Sequence, residues 1–506
     1  MNIFFRTDSS LQIGSGHVMR CLTLADELRQ RGAAVTFICR EHPGNLCELI
    51  EERGYLVRRL VHPPAEYFHR EDNLSYAPSL AVPWQQDAEE TAAILPNGCV
   101  DWLIVDHYAL DRRWEEHLRT HVSKIVVIDD LADRPHDCDL LLDQNLYIDM
   151  VGRYNGLVPE SCQKLLGPRY ALLRPEFVQA RNQLRQRDGQ VQRILVFFGG
   201  VDPSNETGKA LHALIALNLQ GVAVDVVVGG GNPHKNEVKT ICETNGFCYH
   251  CQVSSMAELL ASADLAIGGG GTTTWERCAL GLPSLVMVVA DNQRELVQYG
   301  AQAGFCFSLG EAADLSAEEV SIAVRFALRS PETLRHLAEQ CLVTVDARGC
   351  SRVATLLFPP RIMIRRAVPE DCDSIYDWRN AEETRSYIFN ATPIPLEMHR
   401  QWYHNSLNNP SRLLLIGEHE GKPVGVLRYD LDGAYALVSV YLVPGTQGQG
   451  IGTELIRNGS AWLHRHYPSV DTVKAEIFRE NFASLRAFEA AGYREHHLVF
   501  HDCLKD

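Results

Sequence analysis

Short apolar runs separated by helix-length mixed stretches pattern the first part of the chain, at residues 2–5, 35–39, 102–105, 125–128 and 140–142. This alternation predicts parallel strands joined by crossover helices. The rhythm resumes near Leu166 with runs at 193–198, 222–228 and 264–267, so a second unit repeats the plan of the first. The most apolar stretch, residues 279–290, contains Gly281 and Pro283 and reads as a helix end, a turn and a buried strand. Beyond Phe358-Pro359-Pro360, which reads as a proline linker, the pattern changes. Residues 434–442 alternate as a half-buried strand, and a following amphipathic helix carries Leu455, Ile456 and Trp462. The expected domains are 1–155, 156–357 and 361–506. Two α/β units facing each other leave a deep cleft, a common place for small-molecule sites.

The length of 506 residues exceeds one ordinary core and agrees with several domains. A formal charge of -16, from 48 basic and 64 acidic residues, disfavours nucleic acid and anionic membranes as partners. Phosphate recognition must therefore be local. Fifteen cysteines in a chain this long are not a disulfide framework, and no basic, apolar leader opens the sequence, so the expected compartment is the cytoplasm. No run is long enough to span a bilayer. Cys248-Tyr249-His250-Cys251 has C-x-x-C spacing, but no second pair completes a tetrahedral site. It reads as a strand carrying ordinary buried thiols, and no metal is expected.

Candidate chemistry gathers first at Gly14-Ser15-Gly16-His17-Val18-Met19-Arg20-Cys21, directly behind the opening strand. A strand feeding a glycine turn and a helix leaves unpaired N–H groups and a positive dipole end at the turn, which favour an anionic ligand. Val18, Leu22, Ala25 and Leu28 are spaced to bury one helix face, which aims His17 at the cleft as a general base. The helix start favours the neutral imidazole. Three later runs end in acid, at Asp106-His107-Tyr108, Asp129-Asp130 and Asp143-Gln144-Asn145, on the edge where α/β sheets bind ligands. Acids at that edge also cap helices and loops.

In the second unit, Phe198 leads into Gly199-Gly200-Val201-Asp202, and residues 268–283 open with Gly268-Gly269-Gly270-Gly271-Thr272-Thr273. Such a loop suits a diphosphate, or else permits tight packing of helix on strand. Glu276, just beyond, is suited to accept both hydroxyls of a ribose. In the third unit, residues 447–452 form another strand-to-helix glycine loop, and residues 481–493 form a short helix ended by Gly492.

The third unit resembles the GNAT N-acetyltransferases over nearly its full length. Gln447, Gly450 and Gly452 fit the Q/R-x-x-G-x-G/A motif, and residues 481–493 match a later family pattern. The resemblance implies acetyl-CoA as co-substrate, its pyrophosphate held at Gln447, Gly448, Gln449, Gly450, Ile451 and Gly452. Tyr441, Leu442 and Val443 then pair with pantetheine, and an amine attacks the thioester directly. Phe488 stands where many members have the general-acid tyrosine, which leaves Tyr493, or a water held by Asn481 and Ser484, for that role.

The first 357 residues or so are similar to the UDP-sugar hydrolases of pseudaminic acid biosynthesis, relatives of spore-coat polysaccharide proteins and MurG glycosyltransferases. The similarity rests on Arg6-Thr7-Asp8 with the residues 13–20 motif, on Ile128-Asp129-Asp130-Leu131-Ala132-Asp133-Arg134, and on the glycine run through Asp291-Asn292-Gln293. It implies an α/β GT-B fold of two Rossmann-like domains, here followed by the GNAT α/β domain. His17 is then the catalytic base, Glu276 holds the ribose, and Gly270, Gly271, Thr272 and Thr273 face the diphosphate. Tyr108 and Asn292 line the sugar pocket, with Gly16, Arg20 and Gln293 as further substrate contacts. The two halves then catalyse consecutive steps on UDP-linked aminosugars: acetylation of a 4-amino group, followed by hydrolysis at the anomeric carbon. Alternatives are a MurG-like glycosyltransferase, or a non-catalytic nucleotide-sugar module, fused to an acetyltransferase of other specificity.

Overall fold

The computed structural model describes residues 1–63, 77–96, 98, 100–253, 255–386 and 392–495; the end of the expected third domain, 496–506, lies outside them. The chain divides into two compact units, Met1–Val353 and Ala354–Asp506.

The first unit holds two parallel sheets. One contains β1 (Asn2–Thr7), β2 (Ala34–Arg40), β3 (Leu56–Leu60), β4 (Val100–Asp106), β5 (Val122–Ile128), β6 (Leu140–Asp143) and β7 (Gln163–Leu166), in the order β3-β2-β1-β4-β5-β6-β7. The other contains β8 (Arg193–Phe197), β9 (Ala223–Val228), β10 (Cys248–Cys251), β11 (Leu265–Gly269), β12 (Ser284–Val288) and β13 (Phe307–Glu311), in the order β10-β9-β8-β11-β12-β13. Both follow the Rossmann order, in which the first strand of each sheet lies beside the fourth. That neighbour relation creates a switch point, with a crevice at the carboxyl ends of β1 and β4 in one sheet and of β8 and β11 in the other. Two such sheets are the plan of a GT-B fold.

Burial explains why the apolar runs became strands. Ile3, Phe5, Leu103, Ile104, Ile125 and Val126 are all fully buried, since helices cover the sheet on both faces. The helix Gly16–Gln30 buries Val18, Leu22, Ala25 and Leu28, the face expected from their spacing. Beneath the first switch point Asp8 accepts from Arg6 Nη1 (2.6 Å) and the Arg40 backbone, and Asp87 accepts from Arg6, Arg40 and Trp114. Burial alone would push both carboxyls up, but the Arg6 guanidinium holds them below the usual range.

Two expectations change. The first sheet keeps β7, so the division between sheets falls after Leu166 rather than at 155, and the helix Gly349–Leu357 returns to the first sheet's side, where Arg31 donates to Ser351. Cys248 and Cys251 are exposed, not buried, because β10 is an edge strand paired on one side with β9.

The second unit is built on β14 (Met363–Arg366), β15 (Arg412–His419), β16 (Lys422–Asp432), β17 (Tyr435–Leu442) and β18 (Thr472–Ala475), paired in that order. All neighbours are antiparallel except β17 and β18, which run parallel. Leu455, Ile456 and Leu463 of the helix Ile451–His466 bury against this sheet. Among the described residues no helix is long and apolar enough to cross a membrane.

Candidate active sites

At the first switch point, β1 and β4 bring His17 and Asp106 together. His17 Nδ1 lies 2.6 Å from Asp106 Oδ1. Arg20 grips the same carboxylate with Nη2 on Oδ1 and Nε on Oδ2, each at 2.6 Å, and Cys21 Sγ adds a 3.4 Å contact. Asp106 is fully buried. Burial would push its carboxyl up, but Arg20 and then His17 hold it far below the usual carboxylate range. An ionised carboxylate only accepts, so the imidazole proton sits on Nδ1 and Nε2 is left as the basic nitrogen. The His17 ring is 8% exposed and meets the edge of Tyr108 at 4.5 Å between centroids. The Tyr108 hydroxyl bonds Asp130, which also receives Arg20 Nη1 at 3.2 Å.

The other strand-end acids serve structure. Asp129 accepts from Ala132 N and Tyr154, and pairs with Arg134. Asp143 accepts from Asn145 N and Tyr154, and is pushed up to about 8 by burial and then by Asp130.

A cavity of ≈ 540 Å³ lies between the two sheets' switch points. Gly14, Ser15, Gly16, Met19, Arg20 and Thr23 form one wall. His17 and Tyr108, expected in the cleft and at the sugar, are not among the residues lining the cavity: His17 is turned to Asp106 and its ring meets Tyr108. The opposite wall holds the turn after β8, residues 197–202, and the turn after β11 with Gly271, Thr272, Thr273 and Glu276. Arg174, Gln252, Val253, Met256 and Gln293 also line it. Asp202 accepts from the N–H groups of Glu206 and Thr207, so it caps the helix behind the turn. Across the interface of the two sheets' domains, Trp275 Nε1 donates to Asn145 Oδ1 at 3.1 Å.

The glycine run divides between the two uses open to it. A Cβ at Gly268 would stand 2.2 Å from the Phe197 carbonyl, and one at Gly270 2.3 Å from Val297 Cγ2, so both permit packing. Gly270 N–H donates to Gln293 Oε1 at 3.0 Å and is not open to a diphosphate, which corrects the expectation for that residue. Gln293 braces the loop while lining the cavity. Asn292, expected at the sugar, is exposed on the turn Asp291–Gln293 and is not among the residues lining the cavity.

Glu276 has an 18% exposed side chain. Burial pushes its carboxyl up, with Arg174 opposing. Arg174, Gln252, Val253 and Met256 were missed in the sequence because no glycine motif surrounds them. Asp106 was seen as an edge acid, but its pairing with His17 depends on β4 lying beside β1.

In the second unit, the β17–β18 ladder ends at Val438 and Ala475, while β17 runs on to Leu442 beside β16. An open strand edge results. Val443 N–H is committed to the Val424 carbonyl at 3.0 Å, which corrects its expected pairing; by antiparallel alternation Leu442 presents its backbone to the open edge and Tyr441 faces β16. The Tyr441 side chain packs near Ile375 and Tyr403. Residues 447–449 are exposed and lead through Gly450, at φ 75°, into the helix Ile451–His466. The first-turn amides there, including Ile451 and Gly452, lack carbonyl partners within the helix and fit an anionic phosphate. Asn481 Oδ1 accepts from Ser484 N at 3.1 Å, capping the helix Phe482–Ala490. Phe488 is buried edge-on to Tyr493, whose hydroxyl is bonded to Ser460 at 2.7 Å. Burial pushes the Tyr493 phenol up.

Residues 372–493 match the family model described as acetyltransferase (GNAT) family. The C-terminal unit is a GNAT domain. Along 98% of its length the chain is 21% identical to the uncharacterized protein MJ1062 of Methanocaldococcus jannaschii, covering 97% of that protein. Sixty per cent of the chain is 26% identical to 98% of the UDP-2,4-diacetamido-2,4,6-trideoxy-beta-L-altropyranose hydrolase of Campylobacter jejuni. A match over 71% of the chain, at 24% identity, covers 98% of the spore coat polysaccharide biosynthesis protein SpsG of Bacillus subtilis. The chain thus fuses a Rossmann-like pair similar to these proteins with the GNAT domain.

Proposed function

We propose that the first unit hydrolyses UDP-2,4-diacetamido-2,4,6-trideoxy-β-L-altropyranose to UDP and the free sugar. The GNAT domain, in this reading, acetylates the 4-amino group of the precursor UDP-sugar. The observation that carries the hydrolase reading is the His17–Asp106 pair, with His17 next in the chain to the Gly14, Ser15, Gly16 turn that walls a cavity also lined by Gly271, Thr272, Thr273 and Glu276.

Glu276 accepts the ribose hydroxyls, and the turn Gly271, Thr272, Thr273 bears the diphosphate. His17 Nε2 takes a proton from water as its oxygen attacks the anomeric carbon from the face opposite UDP, so configuration inverts. The bond to UDP breaks as the bond to water forms. UDP leaves as an anion already neutralised by amides and hydroxyls, so a second carboxylate acid is not needed. Asp106 fixes the imidazole tautomer and stabilises the imidazolium that forms; Arg20 keeps Asp106 ionised. Arg20 is thus a positioning residue in this account rather than a free substrate contact.

In the GNAT domain, acetyl-CoA supplies the activated acetyl group. The open edge of β17 at Leu442 suits pantetheine, and the loop 447–452 with its helix start suits the pyrophosphate. The substrate amine attacks the thioester carbonyl and coenzyme A departs. Localisation in the cytoplasm follows from the availability of acetyl-CoA and UDP-sugars there, and is part of the proposal.

The test is to incubate the full chain with acetyl-CoA and the UDP-linked 4-amino sugar and follow products by NMR. The reading expects coenzyme A, UDP and the free diacetamido sugar. Accumulation of an intact acetylated UDP-sugar, or sugar release that requires an added acceptor, would refute the hydrolase half.

A further inference from the structure

Arg174 lies in the segment joining β7 to β8, immediately before the helix Pro175–Asn182. Its Nη2 is 3.1 Å from Glu176 Oε1 and 3.6 Å from Glu276 Oε1, so one guanidinium serves two carboxylates. Arg174 and Glu276 line the cavity, whereas Glu176 does not. The cavity's other charged lining groups are engaged elsewhere: Arg20 by Asp106 and Asp130, and Asp202 by the backbone it caps. A carboxylate that takes both hydroxyls of a ribose must be ionised, because only then do all its lone pairs accept. The Glu276 side chain is largely buried, so its charge is favoured by a cation beside it.

We propose that Arg174 is a nucleotide-positioning residue, which holds the Glu276 carboxylate ionised and turned to the ribose of a bound uridine nucleotide, while Glu176 weakens that hold by competing for the same guanidinium. The inference rests on the nucleotide-sugar reading of the cavity and deepens it. The charges facing Glu276 act on it in opposite directions. Burial raises its carboxyl most; Arg174 opposes burial, Glu176 reinforces it, and Arg277 opposes it to a smaller extent. Arg277 cannot take over the role freely, since its Nη2 already donates to Gly269 O and Thr274 Oγ1.

The experiment titrates the full chain with UDP and with 2′,3′-dideoxy-UDP by calorimetry between about pH 5 and about pH 8, a span that brackets raised carboxyls. Both ligands carry the same titrating phosphates, so the ratio of their dissociation constants isolates the ribose hydroxyls. In the wild type this ratio is expected at about tenfold near neutral pH, the size of a hydrogen-bonded pair to a charged group, and falls as acid protonates Glu276. Arg174→Ala should shrink the ratio and move its fall to higher pH; Arg174→Lys should restore part of it. Glu176→Gln should move the fall to lower pH, and it tests the idea even where Arg174→Ala fails to fold, as thermal melts would reveal. An unchanged ratio and pH profile in the folded variants would overturn the inference while leaving the nucleotide reading intact. No UDP binding by the wild type would overturn both.

Discussion

His17 and Asp106 lie 89 positions apart and meet at 2.6 Å because β4 inserts beside β1. The carboxylate fixes which imidazole nitrogen carries the proton, and Arg20 fixes the carboxylate. Asp106→Asn presents an amide that can donate to Nδ1, which moves the proton to Nε2 and removes the base. UDP release is expected to fall about a hundredfold or more, with UDP affinity changed less than about threefold. Steady-state kinetics beside calorimetry separates the two; a parallel loss of binding would point to a collapsed site instead.

Asp143 sets a pH dependence of stability. Its carboxyl stands at about 8 in the fold, raised by burial and by Asp130, against about 3.9 in an unfolded chain. The fold therefore binds this proton more tightly. Its contribution to stability is complete below about pH 4 and is lost as pH rises through about 8. Asp143→Asn keeps an acceptor for Asn145 N and turns an N–H donor to the Tyr154 hydroxyl oxygen, without the charge. Its melting temperature should exceed the wild type's by a few degrees at about pH 9, and the gain should vanish at about pH 4. Asp8, Asp87, Asp106 and Asp129, all held low, act in the opposite sense at more acid pH and do not overlap this window. Equal gains at both pH values would show that the side chain acts through packing.

Much of this was legible in the chain. Runs of three to seven residues became strands because both faces of each parallel sheet are covered, and the glycine turns followed β1, β8 and β11 as the strand-turn-helix pattern requires. What failed was non-local. The partner of His17 depends on strand order, and Arg174 reaches Glu276 from a linker with no motif. Whether a glycine faces ligand or neighbour depends on what packs there: Gly271 lines the cavity, whereas Gly270 is pressed against Val297. Cys248 and Cys251 are exposed because β10 ended as an edge, a fact that local sequence does not encode.

Asn481 offers a test in the GNAT domain between capping and water-holding. Its side chain accepts from Ser484 N at the start of the helix Phe482–Ala490. Asn481→Ala should destabilise the domain by about 1 kcal/mol, and Asn481→Asp should recover most of it, because both Asn and Asp are strong caps. Melts of both variants beside coenzyme A release distinguish the roles: activity lost at unchanged stability would mean that the carboxamide serves the reaction.

The most direct test of the account is UDP release from the UDP-linked diacetamido sugar, without any acceptor, by the wild type and by His17→Ala. The account predicts steady release of UDP and free sugar by the wild type, reduced about a thousandfold in the variant while UDP still binds. Equal release by both proteins, or none by either, would contradict it.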